Sequence, residues 1–133
     1  MTKAEFVKRI AECGERSFYA DDTITNVFKR NPMICGSWGM KDLVKVPSAD
    51  YPEEDYGFMF KVSGLLFTGA VLVTLGFEDL FYVRFFEHIY GKDCEGGGSC
   101  LTERKDKQLS AVYVEDLIKL LDYSIETKEE QFS

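Results

Sequence analysis

Residues 57–86 read GFMFKVSGLLFTGAVLVTLGFEDLFYVRFF. Within this stretch Phe58, Phe60 and Val62 alternate with Met59, Lys61 and Ser63. Val71, Val73 and Leu75 alternate with Ala70, Leu72 and Thr74, and Phe81, Val83 and Phe85 with Tyr82, Arg84 and Phe86. A period of two assigns each set to one face of a pleated sheet. Ser63-Gly64 and Gly69 bracket one turn, and Gly76 to Asp79 form the next. Three strands joined by short turns make an antiparallel meander.

Outward from this centre the pattern changes to helix. Thr2 and Glu5 have the spacing of a capping box, in which hydroxyl and carboxylate each satisfy a free backbone N–H. Phe6, Val7, Ile10 and Cys13 follow as one apolar stripe, and Gly14 can stop the helix. Asp21 or Asp22 caps a short helix with Ile24, Val27 and Phe28 inward, ended by Asn31-Pro32. Met33 to Val46 reads as extended, with Ile34, Gly36 and Trp38 on one side and Val44 and Val46 flanking Lys45. Residues 47–56 form a polar, acidic loop. Gly91 to Lys107 lacks periodicity, contains Gly96-Gly97-Gly98, and reads as a mobile loop. Leu109 to Tyr113 is a last short strand. Val114, Leu117, Ile118, Leu121 and Ile125 stripe a C-terminal helix from about Val114 to Glu126. The expected fold is α+β: one domain over 1–133, with a meander of about four to six strands between N- and C-terminal helices.

A chain of 133 residues can bury a full core without disulfides or metal. Its 11 Phe and 7 Tyr suit an ordered aromatic interior rather than disorder. The net charge of −7, from 16 basic and 23 acidic residues, argues against binding nucleic acid, where clustered Lys and Arg displace counterions. It argues equally against an anionic membrane surface. The opening MTKAEFVKRIAE has no apolar signal region, and no apolar run approaches a bilayer span of roughly 20 residues. A cytoplasmic protein with free thiols is expected.

Candidate chemistry is sparse. His88, Cys94 and Cys100 come nearest to a metal site, with Cys35 or a carboxylate as a fourth ligand. The cysteines are farther apart than in structural zinc sites, so no metal is expected there. Cys35-Gly36-Ser37-Trp38 shares part of the papain-type nucleophile signature, without its second cysteine and with too little chain beyond it. A Cys35–His88 dyad would rest on the one histidine. Asp50, Glu53, Glu54 and Asp55 lack the order of a calcium loop, and Gly96-Gly97-Gly98-Ser99 lacks the Lys of a phosphate loop. No cofactor motif is present.

If Phe81, Val83 and Phe85 face the core, Tyr82, Arg84, Phe86 and His88 share the opposite face. Aromatics and Arg are favoured at interaction hot spots. The expected function is therefore a non-enzymatic binding or accessory protein acting through protein–protein contacts, with a protein partner or as a homodimer. The alternatives are a small thiol- or metal-dependent protein centred on His88 and Cys35, Cys94 and Cys100, or an acidic inhibitor that mimics nucleic acid.

Three features together carry a resemblance: Val62-Ser63-Gly64 ending a strand; the run Val71 to Leu75 followed by Asp79; and Val112-Tyr113-Val114-Glu115 opening a helix with Leu120-Leu121-Asp122. The pattern resembles small uncharacterised proteins of gut bacteria and their phages or mobile elements. The resemblance implies no activity and no site residue.

Overall fold

The computed structural model describes residues 17–48, 53–76, 78–90 and 99–125, with 88–90 and 99–101 described by backbone alone. The helix expected over Thr2–Cys13 lies outside these residues, as do Asp50 and Cys94. The fold is α+β, an open antiparallel sheet with helices in the N-terminal region and at the C-terminus.

The meander forms as its alternation predicts. Strands β1 (Lys41–Pro47), β2 (Asp55–Ser63), β3 (Thr68–Leu75) and β4 (Phe81–Tyr90) lie side by side in chain order. Phe60 pairs with Val71 and Val71 with Phe85; Phe58 pairs with Val73 and Val73 with Val83. These rows form one apolar face. The opposite face carries Met59, Leu72 and Arg84 in one row and Lys61, Ala70 and Phe86 in another. Gly69 is required here, because a Cβ at that position would meet the Phe86 carbonyl oxygen.

Two irregularities shape the β1–β2 pair. One extra β1 residue lies between Lys41 and Val44, where Asp42 takes a positive φ of 54°. One extra β2 residue, Tyr56, lies between the pairs Val46↔Gly57 and Pro47↔Asp55. Such bulges bend a strand and re-aim a side chain. Tyr56 accordingly packs with Val46, Ala70, Leu72 and Phe86 on the second face.

The segment read as a loop from Gly91 to Lys107 is corrected in part. It contains β5 (Ser99–Glu103), paired with β4, and a 3-10 turn over Lys105–Lys107. β6 (Leu109–Val112) then continues along the same edge of β4. Arg104 bridges the two, its N–H donating to the Phe85 carbonyl over 2.7 Å. Backbone pairing alone can hold an edge strand, so it needs no apolar alternation for a sequence reading to find.

The extended reading of Met33 to Val46 is also corrected. An α-helical turn, α1 (Ala20–Thr23), runs into a π turn over Ile24–Phe28, closed by Lys29 N–H donating to the Ile24 carbonyl. Asn31-Pro32 ends that element and also begins α2 (Pro32–Ser37), with Pro at a first-turn position where its missing N–H is no loss. Only from Lys41 is the chain a strand. Helix α3 (Leu117–Ile125) completes the layer, preceded by a 3-10 turn over Val114–Asp116. Ile24, Phe28, Trp38, Leu117, Leu121 and Ile125 pack on the Phe58–Phe60–Phe85 face as one core. Phe28 stands edge-on to Phe58 and Phe60, both at 5.5 Å. No helix among the described residues is long and apolar enough to cross a membrane.

Candidate functional site

The aromatic face marked in the sequence is not a continuous exposed surface. Phe86 is 0% exposed, inside the second apolar cluster. Tyr82 and Arg84 are half-buried, and an Arg84 guanidinium N–H donates to Thr74 Oγ1 over 3.3 Å. For His88 the backbone is described, paired with Leu101, beside the Ile89↔Cys100 pair.

Cys35 lies in α2, not in a strand. Its thiol is buried and donates to the Phe28 carbonyl over 3.5 Å. Burial pushes its pKa up. A raised pKa keeps the group as thiol, whereas nucleophilic catalysis needs thiolate. Glu53, Glu54 and Asp55 do not converge on a cation; no cluster of three or more His, Cys, Asp or Glu suited to a metal occurs among the described residues. Asp55 serves the fold. Its backbone exchanges two hydrogen bonds with Phe18, and partial burial raises its carboxyl pKa. On the far edge, Arg104 pairs with Glu87 and Asp106, which raises its own pKa and lowers that of Asp106.

A concavity of about 770 Å³ runs between the two helical arms. One wall is Asn26, Val27, Asn31 and Ile34, from the π turn and the start of α2. The other is Val114, Glu115, Ile118, Lys119, Asp122 and Tyr123, from the 3-10 turn and α3. Both walls are pinned. The Trp38 indole N–H donates to Asp122 Oδ1 over 2.9 Å, with Trp38 itself fully buried. Asn31 Nδ2 donates to the Val27 carbonyl over 2.6 Å and closes the π turn. Leu66 N–H donates to the Ile125 carbonyl over 2.8 Å and ties the end of α3 to the β2–β3 turn.

Apolar side chains remain in solvent along this groove. Ile34, Val114 (46%) and Tyr123 (52%) line it, and Met33 (87%) and Tyr113 (60%) belong to the same two segments. Sequence reading missed it for a geometric reason. The stripe from Val114 assumed an unbroken 3.6-residue period. A first turn with three residues per turn shifts the phase, so Val114 faces out while Leu117, Ile118 and Leu121 face in. The extended reading of Met33 to Val46 places Ile34 on a strand and so hides its position on a helix wall.

What this arrangement offers chemically is a fixed apolar trough with amide and carboxylate groups along it. Its described lining residues include no nucleophile paired with a base. No known protein family, curated protein or solved structure matches the chain.

Proposed function

We propose that this is a non-enzymatic binding or accessory protein acting through protein–protein contacts, with the groove between α2 and α3 as its contact surface. The observation that carries this is the set of exposed apolar side chains, Ile34, Val114 and Tyr123, held on two pinned walls. Monomers seldom leave such side chains grouped without a use, and a preformed concavity lowers the ordering cost of binding.

The occupant is a segment of a different protein, apolar at its centre and flanked by Lys or Arg. Charge selects it. Glu115 and Asp122 line the groove against one cation, Lys119, and the chain carries −7 overall. A second copy would bring the same negative charge to the contact.

The test is affinity capture from the source organism with three baits: wild type, Val114→Asp with Tyr123→Asp, and Lys105→Glu. The last two make the same change in net charge, and Lys105 is exposed on the β5–β6 connection. A protein retained by wild type and Lys105→Glu and lost by the double variant supports the groove. Equal retention by all three removes it. Light scattering across a dilution series reads self-association; a dimer abolished by the double variant would replace the heterologous partner with a second copy.

A further inference from the structure

β1 closes the sheet on one side. Among the described residues it pairs with β2 alone, and no backbone hydrogen bond reaches Lys41–Pro47 from any other element. Lys41 to Lys45 are all exposed, Leu43 at 41% and Val44 at 51%. Such an edge is a template for a further strand. Two features restrict where one can pair. The extra residue between Lys41 and Val44 breaks the ladder at one end. Pro47 offers no N–H at the other. Val44–Val46 remain as a short window, which resists indiscriminate pairing.

A depression of about 450 Å³ adjoins this window, between the π turn, α2 and the start of β1. The buried side chains of Ile24, Phe28 and Cys35 line it, with Leu43 on the strand side. A strand added to β1 lies ~4.8 Å away and turns every second side chain toward the helical layer, where the depression is. Charge marks the rim. Lys29 and Lys41 are exposed there, and among the described residues neither belongs to an ion pair. Asp42, the one acid among the described lining residues, lies 3.6 Å from Lys61. The rim is therefore positive on a chain of −7.

We propose that β1 is a strand-addition site for an extended segment of another protein, with an apolar side chain in the depression and carboxylates beside Lys29 and Lys41. Main-chain hydrogen bonds to Val44–Val46 supply affinity, and the depression and the two cations supply selectivity. A second copy pairing through β1 would gather the lysines of both edges at one seam, where like charges repel. The depression shares no lining residue with the groove between α2 and α3, so the inference does not rest on that reading.

The test titrates the full chain with a blocked heptapeptide, Asp-Val-Thr-Leu-Thr-Val-Asp, and follows backbone amide shifts. One companion peptide carries Lys at both ends, and another has its central amides N-methylated. Saturable shifts confined to Met40–Val46 and the depression are expected for the acidic peptide. Binding should be about fivefold weaker with Lys ends and absent after N-methylation. Lys29→Glu with Lys41→Glu should reverse the preference between acidic and basic ends. Val114→Asp with Tyr123→Asp, in the groove, should leave it unchanged. No saturable shift at millimolar peptide would overturn the proposal, as would shifts centred on Val114 and Tyr123. Equal affinity for the two charged peptides, binding that survives N-methylation, or an unreversed preference in the lysine variant would overturn it too. Dilution-dependent β1 shifts in the protein alone would assign the edge to a second copy instead.

Discussion

The two faces of the central sheet share β2, β3 and β4, with β1 adding Val46 to the second, yet they are different kinds of interior. The first is deep and aromatic: Phe28, Phe58, Phe60, Phe67 and Phe85 are buried under the helical layer, with ring centroids as close as 5.3 Å. The second is a small cluster of Val46, Ala70, Leu72 and Phe86, fringed by half-buried Met59, Tyr56, Tyr82 and Arg84. The difference shows how burial is distributed when one side receives most of the large side chains. The first face supplies the bulk of the hydrophobic stabilisation. The second has to exclude water with fewer and smaller groups, so each of them counts.

Truncation tests that contrast most severely. Phe60→Ala removes a ring touching Phe28 and Phe58 and should cost about 3–5 kcal/mol in urea denaturation. Phe86→Ala deletes the same volume from the smaller cluster and should cost about 3 kcal/mol, the lower end of that range. The comparison breaks if Phe86→Ala costs less than about 1 kcal/mol, since a fully buried ring cannot be removed so cheaply. It sharpens if the two costs differ in the stated order.

The same contrast explains what was legible in the sequence. In β2 the alternation is visible because Lys61 and Ser63 are exposed while Phe58, Phe60 and Val62 are buried. In β3 every residue from Gly69 to Leu75 is buried, so alternation survives only in the register and not in polarity. The α+β class, the meander and the helix around Leu117–Ile125 followed from periodicity alone. α2 did not, because Asn31-Pro32 signals both the end of one helix and the start of another. β5 did not, because edge pairing leaves no periodic trace. The groove was illegible for a related reason. It depends on a π turn and a 3-10 turn, and both shift the phase that helical pattern reading assumes to be constant.

A smaller effect probes how the helical arms are fixed to the first face. Trp38 is fully buried and donates to Asp122 on α3. Trp38→Phe keeps an aromatic ring but loses that hydrogen bond to a carboxylate and leaves space where the larger ring system was. A loss of about 1–3 kcal/mol is expected. The variant should also loosen the groove, read as faster amide exchange in α3 with the strands unchanged. Uniform exchange throughout the chain would mean that Trp38 acts through global stability and not as a clamp on α3.

The smallest effect lies where the two faces meet, at the start of β2. Asp55 is bridged to Phe18, and partial burial raises its carboxyl pKa above the ordinary 3.8 despite attraction from Lys45. A folded-state pKa above the unfolded value means that the native state holds the proton to higher pH than the unfolded chain does. Stability from this group is therefore fully present below the ordinary carboxylate range. It is lost as pH rises through the folded-state value. Asp55→Asn, which does not titrate, should gain on wild type over that interval and keep its advantage at neutral pH. The measurement is the difference in urea midpoint between the two proteins from about pH 3 to about pH 7. The group is largely solvated, so the shift should be the least of the four. A difference that stays flat, or that moves in favour of wild type as pH rises, would show that Lys45 outweighs burial at this junction and that the Asp55 carboxylate strengthens the join between the faces.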